Sequence, residues 1–175
     1  MKALKSWIRD ILIAILIAVA ILQFVKPTIV KERSMQPTLQ NNDYLFISKQ
    51  AYTLFGDPKH GDIIVFESHE KLENGRNKML IKRVIGLPGD TVEILNGRIY
   101  VNGEMLEEDY ILEPYTNEAD AGNYFEVPEG CVFAMGDNRG VSLDSRYERI
   151  GYVEIDDIMG KAFVRLYPFN RITLL

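Results

Sequence analysis

The sequence predicts a mostly β protein, a partly open β-barrel or a set of paired antiparallel sheets, preceded by one N-terminal transmembrane helix. Three observations predict it. Short β-branched and aromatic runs recur along the chain, and no stretch after residue 26 reads as a long helix. Asn96-Gly97 sits between Thr91–Leu95 and Arg98–Val101, a strong hairpin signal. An uncharged apolar run, Ile11 to Leu22, lies near the N-terminus.

The N-terminal run extends through Gln23, Phe24 and Val25 to Lys26-Pro27. Fifteen helical residues cover roughly 22 Å, short of a hydrocarbon core of about 30 Å. Counting back through Trp7 and Ile8 closes the gap, with Arg9 snorkelling and Trp7 at the interface. A cleaved secretory leader has an apolar region of similar length, but Ala18-Val19-Ala20 lies inside the run with no polar stretch before it. A buried core helix is the third reading; a helix apolar all round at a terminus favours a span. The retained anchor divides the chain into residues 1–26, tail and anchor, and residues 27–175, a β domain. Charge does not orient it: Lys2, Lys5 and Arg9 on one side match Lys26, Lys31 and Arg33 on the other.

Beyond the anchor, strands are expected at Tyr44–Ile47, Ile63–Phe66, Met79–Ile85, the two arms of the hairpin, Val132–Met135 and Lys161–Tyr167. Glu154–Met159 reads as a helical turn ending at Gly160. His69–Lys78 reads as a polar loop, and residues 112–126 as a long polar connection.

The chain has 175 residues, 47% hydrophobic and 26% charged, which suits one domain with a sizeable core. The net charge is -5. The basic excess lies at the N-terminus and the remainder is acidic, which argues against nucleic acid as a partner. Cys131 is the single cysteine, so no intrachain disulfide forms. No paired cysteines or closely spaced histidines supply a metal set, and nothing calls for a cofactor.

The candidate nucleophile is Ser34, in Lys31-Glu32-Arg33-Ser34-Met35-Gln36-Pro37-Thr38-Leu39. Alone it would read as a turn serine, and it needs a base. His60 and His69 lie in a charged, loop-like region without an obvious partner acid. Lys82, in Met79-Leu80-Ile81-Lys82-Arg83-Val84-Ile85-Gly86, is the other candidate. A two-residue period puts it on one face with Leu80 and Val84, where burial disfavours the ammonium. Arg83, on the other face, reads as the solvent-facing charge. Near the C-terminus, Gly136-Asp137-Asn138-Arg139-Gly140-Val141-Ser142-Leu143-Asp144-Ser145-Arg146 reads as a polar loop. Asp144 and Arg146 are expected to hold it by charge-assisted hydrogen bonds, with Asp137 a second partner for Arg146.

Together with Leu87-Pro88-Gly89-Asp90 and Gly61-Asp62-Ile63-Ile64-Val65-Phe66, these ordered boxes resemble those of type I signal peptidases, from the anchor to about residue 167. About 40 residues separate Asp90 from Gly130, so the resemblance is to the compact monoderm type. It implies a membrane-bound peptidase that removes signal peptides at small-x-small (Ala-x-Ala) sites through an acyl-enzyme. Ser34 would be the nucleophile and Lys82 the general base, and the Ser142 hydroxyl would hold the lysine amine. It also implies a cytoplasmic N-terminus and an extracytoplasmic catalytic domain. The partners would be preprotein signal peptides and membrane lipid, with the secretion translocon as a neighbour. The apolar residues beside the dyad, Val30, Met35, Leu39, Leu80 and Ile81, are the candidate substrate pocket. Position 32 departs from the family pattern, which often has Ser, Thr or Gly there. Glu32 cannot donate to an oxyanion when ionised, and is expected to turn away toward Lys31 or Arg33. Two rivals remain: an inactive, membrane-anchored peptide-binding module of the same fold, and a self-cleaving repressor-like Ser/Lys protease. The second is soluble and carries a DNA-binding segment, which the anchor opposes.

Overall fold

A computed structural model of the chain describes residues 2–52 and 56–175. Helix α1 spans Lys2–Phe24. It is followed by β1 (Val25–Ile29), β2 (Tyr44–Ser48), β3 (Ile63–Lys71), β4 (Asn77–Gly86), β5 (Thr91–Leu95) and β6 (Arg98–Val101). Then come β7 (Glu104–Met105), β8 (Tyr124–Glu126), β9 (Cys131–Met135), β10 (Val153–Glu154), β11 (Ile158–Tyr167) and β12 (Thr173–Leu174).

The strands form two antiparallel sheets. The larger runs β1-β2-β11-β3-β4-β9-β10, with β12 also paired to β11. The smaller runs β7-β6-β5-β8. Register shifts along β11 and near the end of β4 add the local twist that bends the large sheet. The apolar stretch of α1, Lys5–Phe24, has a mean hydropathy of 2.1, and among its described residues none is buried against the rest of the chain. Its 20 residues reach about 30 Å, the thickness of a hydrocarbon core.

Three apolar clusters explain the strand sequences. Leu45 and Ile47 alternate inward from β2 and meet Val30, Met35, Leu39, Val65 and Ala162. The central strands bury both faces. Val84, Val132 and Ala134 face a second cluster with Ile64, Phe66 and Leu80. Ile85, Phe133 and Met135 face a third, shared with Val92, Ile94, Ile99 and Phe125 of the small sheet. Two-sided burial is why Val132-Phe133-Ala134-Met135 is continuously apolar rather than alternating.

The hairpin forms as read: β5 and β6 pair from Leu95↔Arg98, and both Asn96 and Gly97 have positive φ, as a primed turn requires. Several expectations are corrected. His69–Lys78 is not one loop. β3 continues to Lys71 and β4 starts at Asn77, because Ser68 Oγ bonds Lys78 O and Lys71 pairs with Asn77 beyond the core. The connection 112–126 ends in a strand, since Phe125 buries between the sheets. The helical turn is confined to Ile155–Asp157, and Ile158 already belongs to β11, paired with Phe66. β1 was not anticipated: Val25–Ile29 pairs along its length with β2, and Pro27 is tolerated because β1 is an edge.

Candidate active site

The serine segment is a turn pinned from three directions. Gln36 N–H donates to Arg33 O at 3.1 Å, and Leu39 N–H to Met35 O at 2.8 Å. Upstream, Val30 N–H donates to Asp43 O at 2.9 Å and Asn42 N–H to Val30 O at 2.8 Å. From the far end of the chain, Asn138 N–H donates to Ser34 O at 2.9 Å and Asn138 Nδ2 to Arg33 O at 3.3 Å. Ser34 is therefore held by its backbone, and the residue as a whole is 8% exposed.

Lys82 reaches that hydroxyl from β4. Its Nζ lies 2.9 Å from Ser34 Oγ, and the residue is 1% exposed. Burial pushes the ammonium down from its ordinary 10.5 to about 8. Asp144 and Glu32 pull it back up, and Lys78 and Arg146 push it further down. A buried amine that gives up its proton near pH 8 can accept one from a hydroxyl it already touches. Among the described residues, β4 pairs with β9 only from Arg83 onward, so its edge from Asn77 to Lys82 has no strand on that side. This free edge runs up to the dyad.

The 136–146 loop is a scaffold of buried charge. Arg146 Nε donates to Asp144 Oδ1 at 2.8 Å and Nη2 to Asp144 Oδ2 at 3.0 Å. Gly136 N–H donates to Asp144 Oδ2 at 3.1 Å. Burial raises the Asp144 carboxyl, but Arg146, the nearby Ser142 hydroxyl and the Gly136 amide outweigh it and hold it below the usual range. Asp137 does not join Arg146. It takes Arg83 instead, Nε to Oδ1 at 2.9 Å and Nη2 to Oδ2 at 2.7 Å, and accepts from Thr38 Oγ1 at 2.5 Å. Arg83 is thus not a solvent-facing charge. Its side chain is 12% exposed and stacks on Tyr110, 4.1 Å from the ring centroid. One ion pair with a threonine hydroxyl consequently ties the lysine strand, the serine turn and the last loop together. Arg139, paired with Glu108 and donating to Thr116 Oγ1 at 2.7 Å, fastens the long connection to the same loop.

Ser142 is buried beside the dyad, with its hydroxyl near the Asp144 carboxylate and no hydrogen bond to Lys82. Glu32 pairs with neither Lys31 nor Arg33. It reaches Lys78 of β4, with Oε1 2.6 Å from Nζ, because the sheet brings that lysine alongside. His60 does have an acid, Asp90, at 2.7 Å; the contact joins the loop before β3 to the turn after β4, and the partner of Ser34 Oγ is Lys82. His69 is exposed on β3. Of the proposed pocket residues, Val30, Met35 and Leu39 lie in one core cluster and Leu80 in another, all fully buried. Ile81 packs against the first cluster and keeps part of its surface open.

The sequence reading missed Thr38, Asn138 and Gly136, although all three sit inside the boxes it quoted. Gly136 is the most constrained. A Cβ there would meet Ser142 Oγ and the Ser34 carbonyl oxygen inside 3.0 Å. Among the described residues no group of His, Cys, Asp and Glu is arranged to hold a metal ion.

Comparisons with known proteins match nearly the whole chain. The family described as "Signal peptidase, peptidase S26" matches residues 4–167. A probable signal peptidase I-2 of Synechocystis sp. is 40% identical over 98% of this chain and 78% of its own length. A signal peptidase I of Bacillus licheniformis is 37% identical over 98% of this chain and 92% of its own. The crystal structure of a signal peptidase I from Enterococcus faecalis V583 superposes with a TM-score of 0.50 at 37% identity, covering 60% of this chain and 96% of that one.

Proposed function

The chain belongs to the signal peptidase family, peptidase S26, and from that premise we propose that it is a membrane-anchored serine endopeptidase that removes signal peptides from exported preproteins. The observation that carries the reading is the buried Lys82 amine 2.9 Å from Ser34 Oγ. Ser34 Oγ attacks the scissile carbonyl as neutral Lys82 takes its proton. The Ser34 N–H, fixed beside the reacting carbon, donates to the oxyanion. Collapse breaks the C–N bond; Lys82 returns the proton to the leaving amine, and an acyl-enzyme remains. Water then attacks the ester, giving a proton to Lys82, and Ser34 regains its hydrogen as the acid product leaves. Asp144, Arg146, Asp137 and Ser142 keep the loop behind the dyad in place.

The substrate binds extended along the free edge of β4, as a peptide adds to an open sheet. Ile81 presents apolar surface there, packed on the cluster of Val30, Met35 and Leu39, while Leu80 lies on the other face of β4. A shallow apolar floor suits small side chains at an Ala-x-Ala site. Helix α1 spans the membrane with its N-terminus cytoplasmic, and the β domain lies outside beside the emerging signal peptide and the translocon. The Glu32 carboxylate engages Lys78 of β4, 2.6 Å away.

The test is cleavage of a preprotein carrying a small-x-small site by the purified full chain. Cleavage at that site, lost in Ser34→Ala, is expected; binding without cleavage by folded protein would favour the inactive module. Protease added to spheroplasts should digest the β domain, and its full protection would reverse the topology.

A further inference from the structure

Helix α1 passes into β1 with no loop, Phe24 ending one and Val25 beginning the other. The last four carbonyls of a helix have no partner within it. At the end of α1 three of them are taken by the two residues that follow β2. Lys49 N–H donates to Phe24 O at 3.0 Å. Lys49 Nζ donates to Leu22 O at 3.1 Å, and Gln50 Nε2 to Gln23 O at 2.9 Å. The ammonium also stands at the negative end of the helix dipole.

These bonds do more than complete a helix. The chain leaving the helix is β1, which pairs residue by residue with β2, from Val25↔Ser48 to Ile29↔Tyr44. The chain leaving β2 is Lys49-Gln50, which returns to the helix end. The last turn of α1 is therefore gripped by both strands of one pair, covalently by β1 and through hydrogen bonds by the continuation of β2. A flexible tether would leave those carbonyls to water. The serine segment belongs to the same body, since Val30 exchanges backbone hydrogen bonds with Asn42 and Asp43 just before β2.

We propose that Lys49 and Gln50 are positioning residues that lock the membrane anchor to the catalytic sheet and so fix the height of Ser34 relative to the bilayer. The proposal rests on the signal-peptide reading above. A substrate held in the same bilayer presents its scissile bond at a height set by its own apolar segment. Moving the site by one extended residue displaces it by about 3.3 Å, whereas a misplacement of about 1 Å can cost on the order of 100-fold in rate. A rigid anchor therefore selects cleavage sites by their distance from the apolar segment as well as by their side chains.

The experiment uses the full chain in phospholipid vesicles and preproteins whose small-x-small site is moved one residue at a time from the apolar segment. The unaltered enzyme should show a sharp optimum, falling about tenfold or more within two residues. Lys49→Ala with Gln50→Ala should flatten the profile toward equal rates, while kcat and KM for a short soluble peptide in detergent stay unchanged. Lys49→Arg with native Gln50, which keeps a cation and its donors, should retain the optimum. As an activity-independent measurement, spin labels at Leu16→Cys in α1 and Leu95→Cys in the small sheet, in a Cys131→Ser background, should give a narrow distance distribution that broadens in the double variant. An unchanged profile with an unchanged distribution overturns the proposal, and so do equal losses on peptide and preprotein. If the unaltered enzyme cleaves neither substrate, the signal-peptidase reading itself has failed, and the proposal with it.

Discussion

The sharpest consequence of the dyad geometry concerns the proton on Lys82. Burial brings this amine to about 8 from 10.5. At pH 7 a group with a pKa near 8 is about 9% neutral, whereas one near 10.5 would be about 0.03% neutral, a roughly 300-fold difference in available base. The plot of kcat/KM against pH, measured with a peptide that has no titrating group near the site, should rise with unit slope and level off near pH 8. Lys82→Arg should abolish cleavage at every pH, since a guanidinium keeps its proton under working conditions. A structural cation, by contrast, would survive the change to arginine in part. Appreciable cleavage at the same site by Lys82→Arg, or a limb that keeps rising to pH 10, would refute the reasoning.

Other expectations follow from the same site. Glu32 raises and Lys78 lowers the Lys82 pKa. Glu32→Gln should therefore move the rising limb of the pH profile down and Lys78→Met move it up. Shifts of the same sign would show that the two charges do not act on the dyad. Stability carries the same sign. The folded pKa of Lys82 lies below the unfolded value, so the unfolded chain binds more protons between about 8 and 10.5 and this contribution rises with pH across that window, by about 3 kcal/mol. Lys82→Met should remove that rise, as read by denaturant unfolding of the β domain at pH 7 and pH 10. Gly136→Ala puts a methyl group against the Ser34 carbonyl and the Ser142 hydroxyl. It should lower kcat by about tenfold to a hundredfold with cleavage specificity retained; near-normal kcat would mean the loop yields without moving Ser34. Asp144→Ala leaves Arg146 buried without its partner and should cost about 3–5 kcal/mol in the same unfolding assay. Arg146→Met in that background should recover part of the loss.

Local physics made much of this protein legible in its sequence. Asn96-Gly97 dictates its hairpin because a primed turn is a property of two residues and their immediate neighbours. The apolar run after Lys5 dictates a helix of spanning length for an equally local reason. Ser34 and Lys82 could be singled out because their boxes are contiguous and occur in a recognisable order, and the burial of Lys82 followed from its period with Leu80 and Val84. Asp144 and Arg146, two positions apart, could be paired from the sequence, but the partners of charges far apart along the chain could not. Arg83 looked like a surface residue because strand period says only which face it occupies. It lies against Asp137, 54 positions away, because β9 ends beside β4 and delivers the 136–146 loop there. Glu32 had two cations next to it in sequence and chose Lys78, because the bend at the serine segment directs it across to the lysine strand. His60 found Asp90 in the same way. Val25 and Lys26 looked like the end of an anchor, and they begin a strand because β2 is there to pair with them. Coulomb energy and hydrogen bonding fall off over a few ångströms, so they respond to neighbours in space, and β11 inserted between β2 and β3 sets those neighbours. The sequence determined which groups could do the chemistry; the order of strands in the large sheet decided which of them meet.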